Sequence, residues 1–390
     1  MKKFLFVANF FDTTPSGANA NCHAHYDALR KLFVGGGVIA STMSRRAKKY
    51  PATNKISIRC AKTRFDSLVG IFTGKNVGFG VITNSRVSNE ILELIKNGDY
   101  GLVWFDDGCY GSIVKKIKQL YPGLPVYVFH HGVRQINLLQ SVMEIVRADG
   151  VSAIIRNMQR MNFANQQKIS AVHADVNVMF NERDSVAFTE LYGQKSSKLV
   201  LPVSFIDNAH IEPKEKKPEE FNMLFVGGGG HMPNVHGIKW FAKNVMPGLN
   251  ARANLIIAGN GMDMHKDVPE FRDSRISITG RVESLDPYYN AADLIVCPIF
   301  LGAGMMTKVA EAMMYGKNIL ATSHALNGYP DIEAQSKCDT AEEFITRINA
   351  MIKNGVERFN PANRKIFEEK YSIEAMTRIL REDFMKRGII

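Results

Sequence analysis

Short apolar runs alternate with helix-like stretches along the 390-residue chain. Runs rich in β-branched and aromatic residues, bounded by turn residues, predict buried strands, and the longer stretches between them predict helices. This alternation is typical of a parallel α/β sheet, because each pair of parallel strands needs a crossover connection. In the first half the predicted strands are 3–9, 37–42, 101–106, 125–130 and 175–180, with helices at 89–96 and 112–120.

A charged segment with two prolines at 210–220 interrupts the alternation and predicts an exposed linker. After it the pattern restarts. The second half has predicted strands at 222–226, 253–258, 276–279, 294–298 and 318–321, and helices at 234–245, 340–353 and 363–387.

The pattern therefore predicts two doubly wound, Rossmann-like α/β domains that face each other across a cleft. The first spans 1–209 and the second spans 221–362, on either side of the linker. The last segment, 363–390, is expected to be a helical tail that packs back on the first domain. In such an arrangement a ligand lies between the carboxyl ends of the two sets of strands.

Composition excludes several classes of protein. Hydrophobic residues make up 45% and charged residues 22% of the chain, which is ordinary for a globular protein. No apolar run is long enough to span a membrane, and Asn9 and Asp12 interrupt the N-terminal apolar stretch, which we interpret as a buried strand. The five cysteines form no CxxC pair, which argues against a zinc site or a disulfide framework and predicts a cytoplasmic protein.

The formal charge of +11 leaves several interpretations open. No nucleic-acid recognition module is visible, so we predict no nucleic-acid partner. A phosphorylated substrate or an anionic membrane face would each attract a basic protein, and a solvated basic surface needs no partner at all. The densest cluster, Arg45, Arg46, Lys48 and Lys49, would suit anionic lipid, although a solvated loop is the simpler interpretation.

Two glycine-rich loops follow predicted strands in the second half. The loops at 227–231 and 259–264 both fail the GxGxxG pattern of dinucleotide-binding proteins, and no Walker A motif is present. The amides of Gly228 and Gly229 could line the cleft and contact a phosphate, with His231 at its mouth. The alternative is a tight strand-to-helix connection, which also favours glycine.

The first half offers two candidate site segments. Ser16 and Gly17 lie between the first strand and a helix, where they could meet an acceptor or a pyrophosphate, or could simply form a turn. His131 follows the strand at 125–130. It could act as an electrophile or orient a hydroxyl, although a histidine at the end of a strand is often structural.

The stretch 294–316 is the most informative segment for function. An apolar strand leads into a turn with Gly302 and Gly304, and the turn opens a helix that carries Lys308 and Glu311 on one face. The glycines allow close backbone approach, the helix N-terminus favours an anion, and Glu311 is an acceptor of the kind that holds ribose hydroxyls. Together these features predict a site for a nucleoside diphosphate.

With these residues identified, the chain resembles the GT-B glycosyltransferases, in particular the family-4-like branch called glycosyl transferases group 1. The resemblance is clearest over about 223–330. It rests on an ordered set of short matches: 225–227, Pro233-Asn234, Trp240-Phe241, 255–261, 280–282, Tyr288-Tyr289, 302–305, 308–312 and 325–329.

The resemblance implies roles for individual residues. Glu311 would hold the nucleotide ribose and Lys308 would neutralise the diphosphate during catalysis, helped by Arg281. Backbone amides near Gly304 and Met305 would face the donor, in a motif that also contains Met306 and Thr307. Such enzymes usually need neither metal nor cofactor and retain the anomeric configuration, and His131 would contact the transferred sugar.

The chain departs from the pattern of the family in three ways. Ala303 stands where many relatives have an acid, and Met306 stands where close relatives often have a basic residue. The Arg-x4-Lys pair of the family is not evident in 227–239. Lys308 therefore carries more of the diphosphate assignment than it does in most relatives.

These features favour transfer of a hexose-like sugar from a nucleotide-diphosphate sugar to a hydroxyl acceptor. The acceptor would be a glycan or a lipid-linked glycan of a surface polysaccharide or glycolipid, at the inner face of the membrane. A noncatalytic subunit that binds a sugar nucleotide or glycan is the alternative, and nucleic-acid binding has only the charge in its favour.

Overall fold

The computed structural model describes residues 2–8, 17–40, 85–132, 151–193, 196–212, 219–302 and 304–390. Ser16, Ala303, the basic cluster at 45–49 and most of the predicted linker lie outside the described residues. The chain divides into two compact units. The first unit comprises Met1–Pro202 with Met376–Ile390, and the second comprises Val203–Ala375.

The first unit is built on a six-stranded parallel sheet. The strands run in the order β2-β1-β3-β4-β5-β6. Their bounds are β1 Lys3–Ala8, β2 Gly36–Ala40, β3 Tyr100–Phe105, β4 Val126–His130, β5 Val176–Met179 and β6 Ser197–Val200. Chain order reverses between β1 and β3, and the crevice at such a switch point is where doubly wound sheets bind ligands.

The second unit is built on a five-stranded parallel sheet in the order β11-β10-β7-β8-β9. Its strands are β7 Phe221–Val226, β8 Ala253–Ala258, β9 Ile276–Gly280, β10 Leu294–Cys297 and β11 Ile319–Ala321. Here the switch point lies between β7 and β10. The loops that follow these two strands are the glycine loop at 227–231 and the turn at 298–306.

Helices connect the strands in both units. In the first unit they are α1 Gly17–Leu32, α2 Ser85–Asn97, α3 Gly111–Leu120, α4 Val151–His173 and α5 Glu182–Tyr192. The next six are α6 Met232–Asn244, α7 Asp286–Ala291, α8 Thr307–Met314, α9 Pro330–Ser336, α10 Ala341–Asn354 and α11 Pro361–Ile366. A π-helical turn at Phe367–Tyr371 leads to α12 Ile373–Lys386, most of which clusters with the first unit.

Local sequence explains where several helices start. Thr340 caps α10 by accepting from the amide of Glu343, whose side chain accepts in return from the amide of Thr340. Asn181 caps α5 in the same manner through the amide of Asp184. Proline occupies the first turn of α6, where its fixed φ suits a helix and its missing N–H costs nothing.

The ten strands predicted from the sequence are all present, with ends that differ by no more than two residues. β4, β5 and β10 are buried on both faces, as expected for parallel strands covered by helices, whereas β9, at the edge of its sheet, is partly exposed. The predicted fold class, two doubly wound α/β units with C-terminal helices, is therefore confirmed. No helix among the described residues is both long enough and apolar enough to cross a membrane.

Candidate functional site

The loops after β7 and β8 pack directly against each other. The amide of Gly229 donates to the carbonyl of Asn260 at 2.9 Å. A Cβ atom on Gly229 would lie 2.2 Å from the carbonyl oxygen of Gly261, and one on Gly259 would lie 1.9 Å from that of Gly227. Backbone contact between the loops therefore explains glycine at these positions without any ligand. Gly228 is different, because a Cβ there would meet nothing closer than 3.6 Å.

Asn234, in the first turn of α6, ties the β7 loop to α8. Its side-chain amide donates to the carbonyl of Gly228 at 3.1 Å, and its Oδ1 accepts from Nζ of Lys308 at 2.6 Å. The carboxamide sits so close to Gly227 that a Cβ there would be 2.8 Å from Cγ of Asn234. Asn234 thereby fixes the position of the lysine ammonium at the switch point of the sheet.

Lys308 is a buried cation with an incomplete set of partners. The residue is 8% exposed, and its Nζ lies 4.3 Å from the centre of the Phe225 ring. Burial lowers the pKa of Lys308, and the negative charge of Glu311 offsets only part of that effect. Among the described residues, Asn234 alone accepts a hydrogen bond from the ammonium, which has three N–H groups.

Glu311 lies one turn further along α8 and is half-buried. Its Oε2 accepts a hydrogen bond from the hydroxyl of Tyr289 at 2.9 Å. Burial raises the pKa of Glu311, and the bond from Tyr289 and the charge of Lys308 act in the opposite direction. No residue in the described part of the chain donates to Oε1, so this oxygen remains available as an acceptor.

The turn before α8 combines left-handed backbone with buried side chains. Gly302 has φ 122° and Gly304 has φ 76°, both in the region that favours glycine. Met305 is buried, and a Cβ on Gly328 would lie 2.6 Å from its Cγ. Met306 precedes Thr307, the first residue of α8, and its carbonyl accepts from the hydroxyl of Tyr329 at 2.8 Å. The loop after β11 thus packs against this turn through Gly328 and Tyr329.

Two more of the predicted residues are exposed at this edge of the second sheet. His231 immediately precedes α6. Burial and the charge of Lys308 lower its pKa, while a hydrogen bond with Asn234 opposes the shift. Arg281 follows β9, directly after Gly280, which has φ 65°. The second unit therefore brings its eleven predicted residues to the carboxyl edge of one sheet, and two of them, His231 and Arg281, have exposed side chains.

In the first unit, His131 follows β4 and contacts Asp106, which follows β3. Nε2 of His131 lies 2.8 Å from the backbone oxygen and 3.6 Å from Oδ2 of Asp106. The carboxylate also contacts Nδ1 of His25 at 2.5 Å and accepts from the Trp104 indole at 3.1 Å. The His131 side chain is 27% exposed, whereas those of Asp106 and His25 are almost fully buried. Gly17, the other described candidate of this unit, begins α1.

Asp106 and His131 each favour the charged form of the other. Burial alone would raise the pKa of Asp106, but the two histidines outweigh it and hold the pKa well below its usual range. Burial likewise lowers the pKa of His131, yet the carboxylate raises it overall. The raised pKa of His131 contributes stability that is complete below about pH 6.5 and is lost as pH rises through the higher pKa of folded His131, whereas the lowered pKa of Asp106 contributes stability that is complete only above its unfolded pKa of about 3.9.

His130, the neighbouring residue, is a structural histidine. It is buried at the end of β4, with Nε2 2.8 Å from Oδ1 of Asn177 and Nδ1 3.2 Å from the side-chain nitrogen of Gln167. Burial lowers the pKa of His130 to about 4. Both ring nitrogens are satisfied in the neutral form, so the ring has no free position for a substrate.

Sequence reasoning named no role for four residues that hold these groups: Asn234, Tyr289, Asp106 and His25. Asn234 and Tyr289 fall within the segments that resemble the family, and Asp106 ends a predicted strand, so a search for polar residues at strand ends could have found it. His25 lies within α1, and no local pattern connects it with Asp106.

Comparison with known proteins agrees with this architecture. Residues 220–354 match the family described as Glycosyl transferases group 1. No curated protein sequence matches the chain.

Solved structures share the fold over the whole chain. A sucrose-phosphate synthase from Thermosynechococcus elongatus superposes with a TM-score of 0.70 at 13% identity, covering 100% of this chain and 99% of that one. A glycosyltransferase from Rickettsia africae gives 0.68 at 13% identity, covering 99% and 98%. Anabaena HepE in complex with UDP and glucose gives 0.65 at 11% identity, covering 99% and 100%. Residues 220–354 of the second unit are thus similar to the glycosyl transferases group 1 family, and the chain as a whole shares the fold of these solved structures.

Proposed function

We propose that the protein transfers a sugar from a nucleotide-diphosphate sugar to a hydroxyl acceptor. One observation carries this proposal. The buried ammonium of Lys308 has unfilled N–H groups, and Glu311, on the same face of α8, keeps one carboxylate oxygen available. A nucleoside diphosphate fits both groups, because its phosphates can accept hydrogen bonds from Lys308 and its ribose hydroxyls can donate to Glu311.

The diphosphate would bind at the carboxyl edge of the second sheet. Lys308 and the N-terminus of α8 supply positive charge there, and His231 and Arg281 are exposed at the same edge. These groups would stabilise the charge that develops on the leaving diphosphate. We therefore propose metal-independent transfer, in which fixed cations and amides take the role that a divalent ion has in other transferases.

The nucleoside would be held through Glu311, as the family resemblance implies. Anabaena HepE, which shares the fold, has been crystallised with UDP and with UDP-glucose. This supports a nucleotide sugar as the donor and makes UDP the first nucleotide to test. We propose a hexose as the transferred group and retention of its anomeric configuration, both on the basis of family resemblance.

The charge of the protein is concentrated in one unit. The first unit carries 30 Lys and Arg residues against 16 Asp and Glu, whereas the second carries 19 against 22. An excess of positive charge in the unit expected to bind the acceptor favours an acceptor at an anionic membrane surface. We propose a lipid-linked or membrane-associated glycan acceptor, in surface polysaccharide or glycolipid synthesis at the cytoplasmic face.

Vesicle binding tests the membrane part of this proposal. The protein is expected to cosediment with phosphatidylglycerol-containing vesicles at about 0.05 M salt, and to be released at about 0.5 M, because salt screens attraction to the surface charge. Vesicles of phosphatidylcholine alone are the control. Equal binding to both vesicle types, or none to either, would contradict a charge-driven membrane contact.

A noncatalytic nucleotide-sugar-binding subunit is the alternative. It is favoured by Ala303, which stands where many relatives have an acid, and by Met306, which stands where close relatives often have a basic residue. Both functions need the donor site, so donor binding tests the shared part. UDP, ADP, GDP, TDP or CMP is expected to raise the melting temperature of the protein, since a ligand that binds only the folded state stabilises it. Hydrolysis of the matching nucleotide sugar would then favour the enzyme, and binding without hydrolysis or transfer would favour the subunit. No stabilisation by any of them would contradict the donor site.

A further inference from the structure

Tyr289 is buried in the last turn of α7 and points its hydroxyl at Glu311. The residue has no exposed surface, and its hydroxyl lies 2.9 Å from Oε2 of Glu311. A phenol that donates to a carboxylate leaves the second oxygen with its lone pairs unused. The bond therefore determines both the direction of the carboxylate and which of its oxygens can meet a ligand.

A second tyrosine holds the first in place. The rings of Tyr289 and Tyr315 are stacked, with centroids 4.1 Å apart and planes 4° from parallel. The hydroxyl of Tyr315 donates to Oδ1 of Asp286, at the start of α7, at 2.6 Å. Ser284 in turn donates to the other oxygen of Asp286 at 2.7 Å. The rotation of the Tyr289 ring is thus restricted by a contact that does not involve Glu311.

Glu311 needs such a partner to act as an acceptor. Its burial disfavours the charged form, and the hydrogen bond from the hydroxyl of Tyr289 opposes this effect more than the charge of Lys308 does. Without the donor, a half-buried carboxylate would lose part of its hydrogen bonding and could take another rotamer or a proton.

We propose that Tyr289 is the positioning residue of the nucleoside site, which orients Glu311 so that its free oxygen accepts a hydrogen bond from the ribose. This inference rests on the proposed function, since it assumes that α8 binds a nucleotide. It adds a specificity-determining role for Tyr289: discrimination between ribose and deoxyribose depends on a hydroxyl that does not touch the nucleotide.

The test compares nucleotides that differ in a single hydroxyl. Dissociation constants are measured for UDP, ADP and GDP and for the 2′-deoxy and 3′-deoxy form of each. The wild-type protein is expected to bind one of the ribonucleotides about tenfold or more tightly than a deoxy form, because a hydrogen bond to a charged group is lost. In Tyr289→Phe this preference is expected to fall at least threefold, with a smaller change in affinity for the deoxy form.

Tyr315→Phe is the matched control, because it removes a buried hydroxyl of the same pair but keeps the ring stack and the bond to Glu311. Its ribose preference is expected to equal that of the wild type. Melting temperatures without ligand, measured for both variants, show whether Tyr289→Phe remains folded, and Glu311→Gln provides a second variant that removes the acceptor charge directly.

The outcomes separate this inference from the proposed function. If the wild type prefers the ribonucleotide and folded Tyr289→Phe keeps the full preference, the positioning role is overturned while the donor site stands. If the wild type binds nucleotides without any preference for ribose, the role of Glu311 is overturned, and that of Tyr289 with it. If the wild type binds no nucleotide, the proposed function itself fails and the inference falls as well.

Discussion

Replacing Lys308 with methionine is expected to leave the protein folded and to reduce its affinity for a nucleoside diphosphate about 30-fold or more. Methionine has nearly the same length and fills the same space beside Phe225, but it carries no charge. Removing one partner from a buried charged contact typically costs about 2–5 kcal/mol of binding, and each 1.4 kcal/mol is tenfold. The loss in sugar transfer is expected to exceed the loss in binding, because charge on the leaving diphosphate grows in the transition state.

The stability of this variant should change little, for two opposing reasons. The desolvation cost of a buried ammonium disappears, which favours the folded state. Asn234 loses the donor to its Oδ1, which costs about 1–3 kcal/mol if nothing replaces it. The free energy of unfolding is therefore expected to change by less than about 2 kcal/mol, measured by denaturant titration beside isothermal calorimetry with UDP.

Lys317→Met is the matched control for Lys308→Met. Lys317 is also a buried lysine of the second unit, 3% exposed, and burial lowers its pKa to about 8. It donates to the backbone oxygens of Ala292 and Arg358, before β10 and before α11, at the edge of the sheet opposite to the candidate site. This variant should be destabilised and should still bind the nucleotide. Equal nucleotide affinity in Lys308→Met and the wild type would refute the assignment of Lys308 to the diphosphate.

The fold could be predicted from the sequence because parallel strands buried on both faces leave a strong signal. β10 is a continuous apolar run, β4 is one as far as His130, and such runs are typical of strands in parallel sheets. β6 and α4 were not predicted. β6 is an edge strand with an exposed serine and a partly buried lysine, and α4 contains many Asn and Gln residues, so neither shows a clear apolar period.

The candidate site was only partly predictable. Lys308 and Glu311 lie three positions apart in one helix, so their common face follows from helical geometry. Their partners could not be found in this way. Asn234 and Lys308 are 74 positions apart, and Tyr289 and Glu311 are 22 apart, so each contact depends on how α6 and α7 pack on the sheet. Sequence periodicity describes one element at a time and contains no information about such contacts.

The glycines of the loop after β7 also could not be interpreted from the sequence alone. A run of four glycines after β7 suggested a ligand loop, but the structure provides a packing reason at Gly229 and a free approach only at Gly228 and Gly230. The residue type indicates that the backbone is approached closely, and it does not indicate whether a ligand or another loop approaches it.

His131→Ala is expected to lower kcat about 100-fold and to change the KM for the nucleotide sugar less than threefold. A residue that contacts the reacting sugar contributes mainly in the transition state, where one polar contact typically contributes about 10²–10³ in kcat. The binding energy of the nucleotide, in contrast, is expected to come from the second unit. His173→Ala is the control, since His173 ends α4 at the opposite edge of the first sheet. A fall in kcat shared by both variants would indicate damage to the fold.

The pH profile distinguishes a catalytic His131 from a structural one. Asp106 raises the pKa of His131 above its usual value of about 6.5, so the imidazolium is the main form below that raised pKa. If the imidazolium donates a hydrogen bond to the sugar or to a phosphate, kcat falls as pH rises through the pKa of His131. In His131→Gln, whose amide donates but does not titrate, this decline should disappear while part of the activity remains. The ion pair between His131 and Asp106 also stabilises the fold, and this stabilisation is lost over the same pH range. Melting temperatures are therefore measured at each pH. A decline in kcat that follows only the melting temperature, or that persists in His131→Gln, would assign His131 to stability alone.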